Sequence, residues 1–392
     1  MKRLPRITIS LLLIIVSFSL IFVLAWLADG FVGWIYPPPP PSTEEGIIFH
    51  SGTTINFDMY DYVTTESINS MGFRDDETPI ESKHQYRIIA VGDSFTYGWG
   101  VSLEDSWCKL LQHNLREREI DAEVLNLGRP AAGPVEYADI VTRAVYRLQP
   151  DLVLLGLLTA DDLQQLGMDH AAHTYFPHLT RIIRGETSPQ LDMRSAIPER
   201  YAGSFRNLYI ETAELILARM TAEQRDRFST LEPLVQQVFH EGRLNPWMLM
   251  HSCGAPDYFL YIREASAVRS RTRALKVILR RIRERSEAGG AKVLMLGIPE
   301  GFLVNDEAYR NVQRIGFRME PELKTSTVLD EVVEEAAASA DVPFFSATAE
   351  MRKHSDKAGL YLELDRHMAP AGNRLFADIV TPVVAGFIEK EL

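Results

Sequence analysis

The amino-acid sequence predicts a doubly wound α/β domain, in which helices cover both faces of a parallel sheet. Its strands are indicated by short apolar runs at 87–91, 123–127, 151–155 and 292–296, each ending at a glycine, with a weaker fifth run at 342–345. Such runs are typical of strands with both faces covered. Helical periodicity lies in the gaps between them, at 103–117, 134–148, 269–287, 326–339 and 372–390. This alternation predicts a parallel, doubly wound sheet.

Length and composition narrow the class of protein. A chain of 392 residues is long enough for one large domain or two smaller ones. The formal net charge of -12 argues against a general nucleic-acid binder, which would carry a basic surface. The two cysteines, Cys108 and Cys253, lie far apart without metal-type spacing. We expect two separate buried thiols, with a disulfide as the alternative in an oxidising compartment.

The N-terminus predicts a membrane anchor. Lys2, Arg3 and Arg6 precede an apolar stretch at 7–27, whose length at ~1.5 Å per residue matches the ~30 Å hydrocarbon core of a bilayer. The residues after this stretch fit a signal-peptide cleavage site poorly, so an uncleaved signal anchor over 1–28 is favoured over a cleaved peptide. The basic residues should stay in the cytoplasm, which places the rest of the chain on the periplasmic or extracellular side.

Two further segments precede or interrupt the predicted domain. Residues 29–85 contain five consecutive prolines at 37–41, which predict a stiff polyproline II spacer. The residues after the prolines are polar and are expected to form an irregular arm that packs on the domain. The domain itself spans 86–392. It contains a helical insertion at about 163–268, which we expect at the carboxyl edge of the sheet as a lid or substrate-selecting subdomain, with an inert elaboration as the alternative.

Two distant motifs carry residues suited to nucleophilic catalysis. Ser94 follows the first predicted strand, in the run Gly-Asp-Ser-Phe-Thr-Tyr-Gly at 92–98, and a serine hydroxyl needs a base to become a good nucleophile. Asp365 and His367 lie in a loop before the last helix. His367 could accept the proton of Ser94, and Asp365 could orient the imidazole. No metal or cofactor is required for this chemistry, and the histidines at 170, 173 and 178 match no firm metal-binding motif.

These motifs resemble those of the SGNH/GDSL hydrolases. Residues 92–98 match the first block of the family, the Asn-Leu-Gly run at 126–128 resembles the second, and 365–372 resembles the last. The resemblance covers about 86–160 and 290–390 and implies a flavodoxin-like sheet. It also implies that Ser94 is the nucleophile, His367 the base and Asp365 its partner, and that the N–H groups of Ser94 and Gly128 form an oxyanion hole. The stretch at 68–75 is similar to one in membrane-anchored members and receives no role.

The third block departs from the family pattern. Family members have an asparagine there that donates to the oxyanion, whereas this chain has Ala160 or Asp161 at that position, depending on the alignment. Alanine has no donor, and an ionised aspartate cannot donate. Thr159 could donate instead, or a protonated Asp161 could. The third possibility is a slow or inactive domain.

The resemblance implies a serine esterase or O-acyltransferase that acts on acyl esters, with acetyl esters of extracellular polysaccharide as the expected substrate. Two alternatives stay open at this point. One is a lipase, lysophospholipase or thioesterase near the membrane. The other is a noncatalytic glycan-binding or assembly protein on the same fold.

Overall fold

The structure is a computed structural model, and it describes residues 6–35, 46–49, 51–77, 84–166, 179 and 205–392. The chain divides into two compact units. The first comprises residues 1–42 and 168–189, and the second comprises residues 43–167 and 190–392. The predicted proline spacer at 37–41 and the histidines at 170, 173 and 178 lie outside the described residues.

The first unit is built on the N-terminal helix α1, Arg6–Ile35. Within it, Leu13–Val32 is apolar and long enough to cross a membrane. Most of the large apolar side chains described on it are exposed, whereas Asp29 is buried and accepts a 2.7 Å hydrogen bond from the Leu179 N–H. The helix continues seven residues past position 28, where the sequence predicts that the anchor ends.

The arm before the sheet forms a hairpin. The strands β1, Thr54–Asp58, and β2, Val63–Ser67, pair in antiparallel register. The prediction of an irregular arm is therefore wrong for this segment. Phe57 and Ile55 are buried and join the hydrophobic core of the second unit. In β1 apolar residues alternate with polar ones, whereas β2 has one apolar residue, the exposed Val63, and buries Glu66 instead. The pair therefore lacks the apolar pattern that marks strands in a sequence.

Five parallel strands form the central sheet. They are β3, Tyr86–Gly92; β4, Ala122–Gly128; β5, Leu152–Leu158; β6, Lys292–Ile298; and β7, Phe344–Ser346. Their order across the sheet is β4-β3-β5-β6-β7. Counted from β3, this is the 2-1-3-4-5 order of flavodoxin-like folds. The predicted fold class is confirmed.

Helices cover both faces of the sheet. The helices that follow α1 are α2, Ser94–Tyr97; α3, Trp107–Glu117; α4, Pro134–Leu148; α5, Thr159–Gln165; α6, Phe205–Arg219; α7, Ala222–Ser229; α8, Pro233–His240; α9, Pro246–Gly254; α10, Ala265–Ala288; α11, Asp306–Arg314; α12, Val328–Ala338; α13, Thr348–Arg352; and α14, Pro370–Glu391. On one face α3 packs against α14, and on the other α10 packs against α4 and α12. Each face has its own buried apolar cluster. The C-terminal helix α14 is also apolar enough to cross a membrane, but more than half of its apolar stretch is buried in this core.

The described part of the predicted insertion is helical, from α6 to α9. Residues 205–229 form two helices, α6 and α7, because Thr221 caps the start of α7 through a capping box with Gln224. Both cysteines are buried free thiols, as expected.

Candidate active site

Ser94 lies at the carboxyl edge of the sheet, directly after β3. Asp93 caps the one-turn helix α2, since its side chain accepts a 2.9 Å hydrogen bond from the Phe95 N–H. Gly98, in the left-handed conformation at φ 79°, ends the helix. The short helix therefore holds Ser94 at its first position, where helical N–H groups have no partner within the helix.

Close backbone packing fixes this turn. A Cβ added to Gly92 would lie 2.1 Å from Thr96 Oγ1 and 2.7 Å from the carbonyl oxygen of Gly156 on the neighbouring strand. No larger residue fits between β3, β5 and the turn. Asp93 is buried below the turn, and burial raises the pKa of its carboxyl to about 7.

The structure brings Ser94 together with His367 and Asp365. The Ser94 Oγ lies 2.7 Å from His367 Nε2, and His367 Nδ1 is hydrogen-bonded to Asp365 Oδ1. Asp365 is almost fully buried, with 4 % of its surface exposed. With the imidazole proton on Nδ1, shared with Asp365, Nε2 can accept the proton of the Ser94 hydroxyl.

The loop that carries Asp365 and His367 is closed on itself. The Leu362 N–H donates to the His367 carbonyl at 2.8 Å, and the Ala369 N–H donates to the Leu360 carbonyl at 3.0 Å. Asn373, in the first turn of α14, donates to the Met368 carbonyl and accepts from the Trp107 N–H of α3. The loop is thus tied to two helices of the core.

Arg366, between the two candidate catalytic residues, is oriented into the protein interior. Its backbone is left-handed at φ 71°, an unfavourable conformation for a side chain larger than glycine. Its guanidinium lies 5.3 Å and 5.5 Å from the ring centroids of Phe259 and Phe317 and 3.6 Å from Glu300 Oε1. Glu300 is completely buried, and burial raises the pKa of its carboxyl while Arg366 opposes the shift.

The predicted oxyanion-hole role of Gly128 does not fit its surroundings. Its N–H already donates a 3.0 Å hydrogen bond to Asn126 Oδ1. An added Cβ would lie 2.0 Å from the Tyr97 nitrogen, so Gly128 is packed directly beneath the helix α2. We correct the prediction: Gly128 allows the close approach of β4 and α2, and its N–H is not available to an oxyanion.

The third block is folded into the start of α5. Thr159 is completely buried, and its hydroxyl donates to the Ile298 carbonyl at 3.5 Å, so the predicted role as oxyanion donor is not supported. Ala160 is also completely buried. Asp161 is half-buried and accepts hydrogen bonds from Tyr258 Oη at 2.9 Å and Gln165 Nε2 at 2.8 Å. Asp161 is the one residue of these three whose side chain is directed away from the core.

The next residue, Asp162, has a structural role. It is completely buried and accepts hydrogen bonds from the Leu158 N–H at 2.9 Å and from Tyr137 Oη at 3.0 Å. Burial, followed by the charges of Asp93 and Asp161, raises the pKa of its carboxyl well above the ordinary value. Asp162 thereby joins the end of β5 to α4.

The stretch at 68–75, which the sequence leaves without a role, contacts the turn that carries Ser94. The Arg74 guanidinium donates to the carbonyl oxygens of Tyr97, Gly98 and Val101 at 2.6–2.9 Å. Asp75 accepts a 2.8 Å hydrogen bond from the Asn126 N–H of β4 and forms an ion pair with Lys109. The arm therefore fixes both the end of α2 and the neighbouring strand.

Two other arm residues contact the loop that carries His367. Asp61 accepts from two of its backbone N–H groups, and Tyr62 Oη lies 3.4 Å from Asp365 Oδ2. The sequence gives no signal for either residue, because the segment contains no recognisable motif and lies about 300 positions from its partners.

A cavity of about 950 Å³ opens beside this loop. It is lined by Asp61, by residues of α11, by 230–232 of the insertion and by 359–363 and Ala369 of the loop region. Arg314 lines the cavity and forms ion pairs with Glu232 at 2.9 Å and Glu363 at 2.5 Å. The lining of the cavity is therefore rich in hydrogen-bonding groups. Among the described residues, no group of three or more metal-ligating side chains is found.

Comparison with known proteins finds similarity at the level of solved structures. No family model and no curated protein matches the chain. The esterase EstA from Pseudoalteromonas sp. is 11 % identical, with 78 % of this chain and 100 % of that chain covered and a TM-score of 0.38. An acetyl xylan esterase, AlAXEase, is 12 % identical over 76 % and 99 % of the two chains, with a TM-score of 0.35. A member of the lipolytic protein G-D-S-L family from Veillonella parvula is 10 % identical over 76 % and 97 %, with a TM-score of 0.31.

Proposed function

We propose that this chain is a serine esterase or O-acyltransferase, with Ser94 as nucleophile, His367 as general base and Asp365 as the residue that orients the imidazole. One observation carries the proposal: the continuous hydrogen bonding from Ser94 Oγ through His367 to the buried Asp365. A serine placed this way, at the start of a helix on the carboxyl edge of a parallel sheet, is accessible to a substrate and has its base within reach.

The reaction proceeds in two acyl transfers. As Ser94 Oγ bonds to the ester carbonyl carbon, its proton passes to His367 Nε2, and Asp365 stabilises the resulting imidazolium. Cleavage of the bond to the leaving alcohol follows, and the alcohol takes the proton from His367. Water or a second alcohol then attacks the acyl-serine, with His367 again accepting and returning a proton. The Ser94 N–H is our candidate oxyanion donor, since the Gly128 N–H is occupied.

We further propose acetyl esters of a polysaccharide as the substrate class. The support is the cavity beside the catalytic loop, whose wall carries charged groups such as Glu232, Glu363 and Arg314. Such groups pair well with sugar hydroxyls and poorly with a long acyl chain, which requires apolar lining. Neither Ser94 nor His367 lines this cavity, so we assign it to sugar units next to the reacting ester rather than to the ester itself. The lipase alternative would need an apolar cleft of comparable size.

The N-terminal helix completes the proposal as a single-pass anchor. Its 20-residue apolar stretch and the basic residues before it favour retention in the membrane with the catalytic domain on the extracytoplasmic side. Mass measurement of the membrane-extracted protein tests this directly. The intact chain is expected, and loss of the first 25–30 residues would indicate a cleaved signal peptide.

The catalytic proposal is tested with the full chain in detergent. Wild type should hydrolyse p-nitrophenyl acetate and form a fluorophosphonate adduct at Ser94, and Ser94→Ala should lose both, with a fall in kcat of at least ~10³-fold. Ser355→Ala, at an exposed serine, is the matched control and should behave as wild type. Faster turnover of p-nitrophenyl decanoate than of acetate would favour the lipase alternative. Absence of an adduct in folded wild type would favour the glycan-binding alternative.

A further inference from the structure

We propose that Asp61 and Tyr62, at the turn of the N-terminal hairpin, are positioning residues for the pair Asp365–His367. This inference rests on the proposed esterase function and assigns part of its catalytic geometry to the arm. It means that the domain starting at β3 does not contain everything that its active site needs.

Asp61 holds the backbone of the catalytic loop. Its Oδ2 accepts hydrogen bonds from the N–H groups of Leu364 and Asp365, both at 2.8 Å. One carboxylate oxygen therefore fixes two successive peptide units directly before His367. Hydrogen bonds to a charged acceptor are shorter and stronger than those between neutral groups, so this contact restrains the loop effectively.

Tyr62 contacts the side chain of Asp365. Its hydroxyl lies 3.4 Å from Asp365 Oδ2, while Oδ1 of the same carboxylate is bonded to His367. The ring of Tyr62 is packed tightly, because a Cβ added to Gly100 would lie 3.0 Å from the Tyr62 ring and 2.9 Å from Leu362. The hydroxyl is thus held against the outer oxygen of the candidate catalytic aspartate by packing on both sides.

Aromatic rings continue this support to the imidazole. Phe57 of β1 lies 4.9 Å from the ring of Trp99, in an edge-to-face arrangement, and Trp99 lies 6.0 Å from the ring of His367. The hairpin therefore contacts the loop backbone, the aspartate carboxylate and, through Trp99, the wall beside the imidazole. Three separate contacts of this kind point to positioning rather than to incidental packing.

The charged form of Asp61 is destabilised by its surroundings. Burial, followed by repulsion from Asp365, raises the pKa of the Asp61 carboxyl to about 6, and Glu363 adds to the repulsion. The hydrogen bonds from the Leu364 and Asp365 N–H groups oppose this rise in pKa. A neutral residue would avoid the repulsion, so the contact with the loop backbone is what the carboxylate contributes here.

The test compares four variants of the full chain in detergent on p-nitrophenyl acetate. Asp61→Ala should lower kcat by between ~10-fold and ~100-fold with little change in KM, because misplacement of a catalytic group slows the chemical step. Asp61→Asn keeps an oxygen that can accept both N–H bonds and should recover most of the rate. Tyr62→Phe should lower kcat several-fold, whereas Tyr60→Phe should leave it unchanged. Tyr60 is the matched control because its hydroxyl lies at the same 3.4 Å distance from a carboxylate, that of Glu363, which takes no part in proton transfer. The sugar contacts proposed for Glu363 are not made with p-nitrophenyl acetate.

Two outcomes would overturn the inference. One is a folded Tyr62→Phe and a folded Asp61→Ala that both keep wild-type kcat. The other is an Asp61→Asn that is as slow as Asp61→Ala, since the acceptor geometry would then be irrelevant. If Asp61→Ala fails to fold, the comparison of Tyr62→Phe with Tyr60→Phe decides the question alone.

A spectroscopic measurement separates this inference from the proposed function. The Nδ1 proton of His367, shared with Asp365, should give a low-field ¹H resonance that is absent in His367→Gln. We expect it to shift or broaden in Tyr62→Phe and to be unchanged in Tyr60→Phe. An inactive wild type with this pattern would refute the esterase and retain the positioning role, whereas an active wild type with identical spectra for both variants would refute the positioning role alone.

Discussion

Arg74 donates a 2.6 Å hydrogen bond to the carbonyl oxygen of Gly98, at the residue that ends the helix carrying Ser94. The same guanidinium bonds to the carbonyls of Tyr97 and Val101. A residue outside the α/β sheet thus bonds to the Val101 carbonyl and adds a further hydrogen bond at the carbonyls of Tyr97 and Gly98, which also accept from Asn126 Nδ2 and the Val101 N–H. Its own charge faces Glu66, 3.7 Å away, in an almost fully buried pair.

Replacement of Arg74 by methionine should destabilise the protein strongly. The change removes three hydrogen bonds to backbone carbonyls, of which those of Tyr97 and Gly98 keep bonds from Asn126 Nδ2 and the Val101 N–H. It also leaves the Glu66 carboxylate without its counter-ion, and we expect a total cost of ~3–5 kcal/mol of the free energy of unfolding. Thermal unfolding followed by circular dichroism measures the effect. Arg280→Met is the control, since Arg280 is exposed and bonds to one surface carbonyl, and it should change stability by less than ~0.5 kcal/mol. Equal melting temperatures for the two variants would contradict the role assigned to Arg74.

Glu66 should make stability depend on pH near neutrality. Burial raises the pKa of its carboxyl to about 7, although Arg74 opposes the shift. The folded state therefore binds more protons than the unfolded state between pH ~4.5 and ~7, so stability should decrease as pH rises through this window, by up to ~3 kcal/mol from this group. Chemical unfolding of wild type and Glu66→Gln at pH 5 and pH 7.5 measures the difference.

The expected result is a smaller loss of stability between the two pH values in Glu66→Gln than in wild type. Glu214→Gln, at an exposed position of α6, should keep the wild-type dependence. If Glu66→Gln and wild type lose the same amount of stability between pH 5 and pH 7.5, Glu66 titrates normally in the folded protein. Asp61 and Asp93 also have raised pKa values and should supply the dependence that remains.

Gly128→Ala should disrupt the nucleophile turn for a steric reason. The added methyl group would lie 2.0 Å from the Tyr97 nitrogen and 2.5 Å from Tyr97 Cα, and backbone atoms cannot move aside as a flexible side chain can. We expect a loss of several kcal/mol or failure to fold. Gly386→Ala on α14, where nothing lies within 4 Å, should be neutral or slightly stabilising. A stable Gly128→Ala with wild-type kcat would contradict the close packing assigned to this glycine.

The sheet and its edge were predictable because each of β3 to β6 contains a largely apolar run followed by a glycine, whereas the short β7 has no such glycine. Gly92, Gly128 and Gly156 end up as neighbours across three strands, which the parallel arrangement of such runs requires. Ser94 and His367 were predictable as a pair because each lies in a motif with its own chemistry. The role of Gly128 was mistaken because a glycine is equally compatible with a donated N–H and with close packing, and only the Tyr97 contact distinguishes them.

The contribution of the arm could not be predicted from the sequence. Asp61 and Tyr62 stand in a polar turn, and such residues are common in turns for local reasons. Their partners at Leu364 and Asp365 are about 300 positions away, so the contact exists only after the hairpin has packed on the domain. Arg74 lies in a stretch that the family resemblance marked, but its three partners are backbone carbonyls. Every residue has a backbone carbonyl, so the sequence does not indicate which ones Arg74 contacts.

Asp161→Asn tests whether the departure in the third block slows the proposed reaction. The carboxylate of Asp161 accepts hydrogen bonds from Tyr258 and Gln165, so it offers no donor, and its negative charge at the carboxyl edge of the sheet opposes a developing oxyanion. Asparagine can keep the bond from Tyr258 through Oδ1 and present an N–H. Because one oxyanion donor is worth ~10²–10³ in rate, we expect kcat on p-nitrophenyl acetate to rise at least ~10-fold.

Asp378→Asn, which makes the same change on the exposed face of α14 beside Asn114, should leave kcat unaltered. A folded Asp161→Asn with kcat at or below that of wild type would mean that Asp161 does not face the oxyanion, and that the fold stabilises the tetrahedral intermediate without a donor from this block.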